Sequence, residues 1–401
     1  MLKNKYLSII YRNKLIKNMV FHSILLRNYK LLRTATVFLL SVMIYGCIEV
    51  YNPPIQGNTE FLVVDGSIVK GNSIQTVLVS KSTSLNESAI NWVSGCTVWA
   101  TNAEGEEFTY EEASDGNYHA EIPPEALPFG SQFMINVITP EGKEYASDFE
   151  TLYESSPVDS LYFIEEAYQS SSLTSQSGLQ YYADLKAEES ATGYYRWILE
   201  ETWEHHSPYL IAEMRYSDDY TGSIYFEEPT DSLSVCYTTK EVSDLYTAST
   251  DNLSSNEKKK IPLIYASGIK LNYNYSVLVK QYAMSMTAYD YWSKTQVIVS
   301  EGSGLHQTQP SSVTGNICNV NDADEVVLGF FWAASYSEKR LNFKGPLNEM
   351  LNENCELEEY DPDDPPLYEP IYFDVNGMIA SPICFDCTYG GGSLIKPDFF
   401  E

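Results

Sequence analysis

The chain has 401 residues, of which 55 are acidic and 25 basic, for a formal net charge of −30. The eight basic residues of segment 1–46 (Lys3, Lys5, Arg12, Lys14, Lys17, Arg27, Lys30 and Arg33) leave 17 against 55 acids beyond it, which excludes a nucleic-acid partner gripped through phosphates and disfavours an anionic membrane surface as the partner of the globular part. Apolar residues at 44% and aromatics at 13% exclude disorder for most of the chain, and the length beyond residue 46 exceeds what one core organises, so two or three domains are expected.

Lys30 and Arg33 precede an apolar run, Thr34 to Ile44, of about eleven residues. A helix needs about 20 residues to cross hydrocarbon, so the run has the length of a secretory signal. It ends in Ile44-Tyr45-Gly46-Cys47. A small residue before a cysteine, after such a run, resembles the bacterial lipobox, with Ile44 and Tyr45 standing where Leu and Ala or Ser are usual. Cleavage before Cys47 and lipid attachment to its thiol are the expectation. Residues 1–46 then form the signal peptide, with Met19 as an alternative translation start. Residues 47–57, with Pro53-Pro54, form a short extended tether that holds the rest of the protein to a membrane outside the cytoplasm.

From 58 to 155 the chain alternates in short apolar segments divided by turns: Phe61-Leu62-Val63-Val64 before Asp65-Gly66, Thr76 to Ser80, Cys96, Val98 and Ala100 on one face, then Phe133, Ile135 and Val137. This spacing predicts a β-sandwich of immunoglobulin-like size. Ser155-Ser156-Pro157 reads as a domain joint. A larger β-rich domain, 156–401, follows. In its long strand, Tyr194 to Trp203, Trp197, Leu199 and Glu201 share one face. Residues 212–262 are polar and weakly patterned, so long loops are expected there. A strand from Tyr273 to Met284 runs into a helix near 285–300, whose stripe Ala288, Tyr289, Trp292 and Val299 should dock on a sheet; Trp197 and Trp292 are both expected in the core. Val326 to Ala333 reads as a buried strand, and the acidic, proline-rich stretch 355–370 as irregular.

Beyond Cys47 lie six cysteines, an even number that suggests disulfides in an exported protein. Six allow 15 connectivities. Cys384 and Cys387 have the spacing of a metal or redox half-site, but Pro382 before and Gly390-Gly391-Gly392 after them are loop chemistry. At least one of the two is expected to bond Cys236 or Cys355, stapling the tail, with Asp386 exposed between them. His205-His206 point to opposite faces of a strand and suit no shared ion. The acidic stretch Glu356 to Asp364 lacks the turn glycine of a calcium loop. No catalytic motif, metal site or cofactor site is recognised. The 32 tyrosines suit either half-exposed strands or a glycan- or peptide-binding surface.

An ordered set of segments resembles the Bacteroidota lipoproteins of the domain-of-unknown-function family 4249. It comprises Cys47 with Glu49 and Tyr51 behind it, Leu62-Val63-Val64-Asp65-Gly66, Val93 to Val98, Gly116-Asn117-Tyr118 and Tyr194-Tyr195-Arg196-Trp197. It continues with Val279 to Tyr282, Ala288 to Trp292, Gln309-Pro310, Gly315-Asn316-Ile317, Val327-Leu328-Gly329-Phe330-Phe331, Lys339-Arg340, Cys384 to Cys387 and Lys396 to Phe400. Cys96, Cys318 and Phe400 depart from the family's pattern. The resemblance implies an outer-membrane lipoprotein with no established activity, on the cell surface or the periplasmic face, and with no catalytic motif recognised a non-enzymatic, mostly β protein is expected. By association it suggests an accessory binding role beside a TonB-dependent transporter. A structural or adhesive surface protein and a hydrolase with a dispersed carboxylate site are the alternatives.

Overall fold

Alternation of inward and outward side chains builds the first layer pair. In β1 (Leu62–Lys70), Leu62, Val64 and Ile68 point inward; β2 (Gln75–Lys81) contributes Val77 and Val79. The short β3 (Asn91–Trp92) pairs with β2, and β4 (Thr97–Asn102), β5 (Glu107–Ser114) and β6 (Asn117–Ala120) follow. β5 pairs with β6 on one side and β4 on the other, so it carries the chain from one half of the sandwich to the other. β7 (Gln132–Ile138), β8 (Glu144–Ser147) and β9 (Glu150–Thr151) complete the local set, with Phe133, Ile135 and Val137 fully buried. The computed structural model describes residues 60–83, 89–169, 175–186, 192–216, 223–254, 257–301, 313–347, 350–351 and 355–400. Cys47, the leader 1–46, the tether 47–57 and the Gln309-Pro310 motif lie outside them.

The second half is built on β10 (Ser160–Gln169), β11 (Ser175–Lys186), β12 (Tyr194–His206), β13 (Ile211–Arg215), β14 (Ser223–Thr230), β15 (Val235–Glu241), β16 (Tyr246–Ser249), β17 (Lys258–Ser267) and β18 (Asn274–Ala283). β19 (Ile317–Asn319), β20 (Val327–Leu328) and β21 (Phe331–Lys344) follow the helix Met286–Glu301. The sheet β10-β11-β17 packs against β12 and β18. Trp197 is central to that core at 1% exposure, and its indole N–H donates to Gln281 Oε1 at 3.2 Å. The strands β13 to β17 replace the long loops expected over 212–262. β14 and β15 are largely polar and open or half-open to water, so local hydrophobic alternation gives them little signal, whereas β17 buries Ile261, Leu263, Ile264 and Ala266 in the second core.

The boundary expected near residue 155 marks a change of core but not of sheet. β19 pairs with β8, and β20 and β21 pair in parallel with β1, which places Ile317, Val327, Phe331 and Ala333 in the first core. The far end of β21 pairs with β18, and Leu341 and Phe343 pack on the second core. Ser155 and Ser156 are tied across this seam: Ser155 N donates to Ser335 Oγ at 2.8 Å and Ser337 Oγ to Ser156 O at 2.7 Å.

Three of the ordered sequence segments meet where β20 and β21 join β1. Gly329 has φ +96°, and a Cβ there would stand 2.0 Å from the Val64 carbonyl oxygen, so only glycine lets the two backbones approach. Asn316 completes the pairing in place of a strand. Its Nδ2 donates to Phe331 O at 2.8 Å and its Oδ1 accepts from Phe331 N at 2.9 Å.

The tail folds over one end of the second sandwich. β23 (Ile371–Phe373) extends the β14-β13 pair, while β22 (Glu358–Glu359) and β24 (Met378–Ile379) form a small bridge. Disulfides Cys236–Cys387 and Cys355–Cys384 close loops of 151 and 29 residues. Ser393 bridges to Tyr237, and Phe400 is buried beside the same tyrosine. Asp386 is not exposed between the two cysteines as expected; it is 6% exposed. It accepts from Tyr372 Oη at 2.6 Å and from Thr388 N at 2.9 Å, so the loop is folded around its carboxylate. Cys96 and Cys318 are unpaired.

Candidate functional site

The outer face of the β12-β18-β21-β1 sheet gathers the polar and aromatic groups that the cores leave over. Because side chains alternate along a strand, the burial of Tyr195, Trp197 and Leu199 turns Tyr194, Arg196 and Ile198 outward. Register sets Tyr282 beside Arg196 and Tyr336 beside Tyr282. On β21 and β1 the same face carries Trp332 and Asp65. The helix Met286–Glu301 lies over it with Ala288 fully buried and Tyr289, Tyr291 and Trp292 half-buried. Val299, expected on the docked stripe, is 60% exposed, because the helix's contact with the sheet ends before its last turn. Trp292 is likewise a half-buried wall residue rather than a core residue.

Arg196 is the centre of this group. Its guanidinium carbon lies 3.6 Å from the centre of the Trp292 ring and 5.4 Å from that of Trp332. Its Nε and the Trp292 Nε1 are both buried without a hydrogen-bond partner. Burial lowers the Arg196 pKa to about 10, so it remains a cation at neutral pH, and the Asp65 charge partly offsets that shift. Asp65 is open to solvent yet flanked by enough protein for desolvation to raise its pKa, with Arg196 opposing the rise. No ion pair joins the two. Tyr291 stacks on Phe330 with centroids 4.7 Å apart, and Tyr282 lies 5.3 Å from Tyr336.

The arrangement offers a fixed guanidinium and unpaired N–H donors among aromatic faces. Such a group can engage a ligand by stacking and hydrogen bonding. In the sequence Arg196 and Asp65 stood out only as parts of motifs and Trp332 only within a buried strand, and Asp65-Gly66 read as a turn where β1 runs straight through. The available signal was a lone cation on the outward phase of a strand whose inward phase is Tyr195, Trp197 and Leu199.

Other candidates have structural duties. Glu201 accepts from Lys270 Nζ and Tyr275 Oη, and Glu204 from Asn274 and His206, so these buried carboxylates are spent on holding the sheet. A cleft of about 450 Å³ is lined by Glu111, Glu112, His119 and Glu121, but all three glutamates are exposed. Hydrogen bonds from Gly95 N and Gly116 N hold Glu112 below the usual carboxylate range. The predicted disulfide cysteines come together as the two bridges of the tail, remote in sequence from Arg196. Among the described residues no helix is long and apolar enough to cross a membrane.

No curated protein matches the chain. A family model, a domain of unknown function, matches residues 48–340, a span that holds both sandwich cores and the whole Arg196 cluster but stops short of the disulfide-bonded tail. The chain therefore belongs to the DUF4249 family.

Proposed function

We propose that the protein is a non-enzymatic binding component of a Bacteroidota cell envelope, held to the outer membrane by lipid on Cys47 and acting beside a TonB-dependent transporter in uptake or envelope assembly. The observation that carries a binding role is Arg196: a cation wedged between tryptophans, with buried donors that lack acceptors, on a face built of aromatic rings. Anchoring is supported by the apolar run before Gly46-Cys47 and by a family match that starts at residue 48, directly behind that cysteine. The transporter link rests on family association.

Purification of the detergent-solubilised protein from native outer membranes tests the reading. A co-purifying TonB-dependent β-barrel is expected, and Cys47→Ser should release the protein from the membrane fraction. Isolation of the protein alone, under conditions that keep other envelope complexes intact, would favour a structural or adhesive surface protein. Normal membrane retention of a processed Cys47→Ser variant would remove the lipid anchor.

A further inference from the structure

We infer that the Arg196 site takes the carboxylate of a ligand whose apolar body lies against the aromatic rings. The inference rests on the binding role proposed above and names the ligand class.

The chain beyond residue 46 has three arginines, and each lies over an aromatic ring. Arg215 stacks at 4.1 Å on Phe373 and pairs with Glu213 at 2.6 Å. Arg340 stacks at 3.6 Å on Phe399 and pairs with Glu200 at 3.3 Å. Arg196 has the stack but, among the described residues, no carboxylate within ion-pair distance. Stacking on indole holds the guanidinium plane while leaving its N–H edge free, and that edge matches a carboxylate in two-point fashion.

The second observation is independent of charge. Arg196 Nε and Trp292 Nε1 are donors, both buried and both without an acceptor. Buried donors are ordinarily satisfied, so what this site lacks is oxygen. Tyr282, Tyr291 and Tyr336 belong to the same aromatic cluster.

The surroundings also limit the ligand's charge. Asp65 and Glu241 act on Arg196 from within electrostatic range. A single guanidinium facing them suits a monoanion better than a phosphate dianion, which ordinarily gathers several cations.

The test uses the full chain in detergent, with benzoate as the probe, benzamide as its neutral isostere and inorganic phosphate as the competing anion. Indole fluorescence and the ¹⁵N–¹H signal of Arg196 Nε are followed. Benzoate should perturb both and bind at least tenfold more tightly than benzamide, and phosphate should not displace it at equal concentration. Arg196→Gln should abolish the tenfold preference, and Trp292→Phe, which keeps a ring and loses the N–H, should weaken benzoate severalfold. The wild-type comparison stands even if a variant misfolds. Equal binding of benzamide, or displacement by phosphate, would overturn the carboxylate assignment and leave a binding site of another class. No response of either signal to any probe would overturn the assignment of this face as the site. Transporter co-purification is a separate readout and survives either failure.

Discussion

Ser285 Oγ donates to Glu150 Oε2 at 2.5 Å while accepting from the backbone N–H of Ala288 at 3.0 Å. The hydroxyl that caps the helix thus hangs from a carboxylate of the first sandwich. Glu150 is 2% exposed, and burial raises its pKa to about 7, against the pull of Ser285. The folded protein holds this proton more tightly than the unfolded chain does. Its contribution to stability is therefore full below about pH 4.5 and is lost as pH rises through about 7.

Stability should accordingly fall between pH 5 and pH 8 by on the order of 2–3 kcal/mol from this group alone. Glu150→Gln should flatten that part of the profile and stabilise the protein at pH 8. Urea midpoints at the two pH values decide it; an unchanged slope in the variant would refute the assignment.

Trp197 fills the second core and orients Gln281, whose Nε2 reaches back to Ser156 O at 2.9 Å. Trp197→Ala should cost about 3–5 kcal/mol. The expected result is a lower urea midpoint together with faster proteolysis near Ser156. A loss below about 1 kcal/mol would mean that the core rearranges around the gap.

Asn316 supplies both hydrogen bonds to the Phe331 backbone and is 7% exposed. Asn316→Ala leaves a buried N–H and a buried carbonyl without partners and should cost about 2–4 kcal/mol. Asn316→Asp keeps the acceptor alone and should fall between. Hydrogen exchange at Phe331 N–H distinguishes a local loss from a global one.

The disulfide Cys236–Cys387 closes 151 residues. In the chain-entropy model its removal by paired Cys→Ser substitution should cost about 3–5 kcal/mol. Reductant should lower the melting temperature of the wild type and leave the paired variant lacking both bridges unmoved. The first new proteolytic cuts should fall between Ser381 and Phe400, where no long strand or helix holds the backbone.

What the sequence made legible follows from how local each signal is. Strands β4 and β7, the start of β1 and the placement of Trp197 could be read because one buried face imposes a period of two on neighbouring residues; the rest of β1 could not, because Asp65-Gly66 looks like a turn locally. The helix could be read from Ala288 to Trp292, but Val299 could not be told from a docked residue, because periodicity does not say where the underlying sheet stops. Parallel pairing of β1 with β21 leaves no local trace; it showed only as two apolar motifs far apart in the chain. Asp386 looked like loop surface because its partner, Tyr372, comes from another strand. The Arg196 site escaped for a related reason: Trp292, Trp332 and Asp65 reach it from three separate elements.

One strand, β21, serves two cores, and this sets an order in time. The first sandwich is missing Ile317, Val327, Phe331 and Ala333 until the chain has emerged that far. Its N-terminal strands must therefore wait, with Val64 and Val77 uncovered, while the whole second half is delivered. Contacts of such long sequence separation make folding slow. A fragment ending at residue 155 should remain a sticky, incomplete sheet, and until the rest of the chain arrives the exposed β1 edge is the surface that a holding chaperone would have to shield.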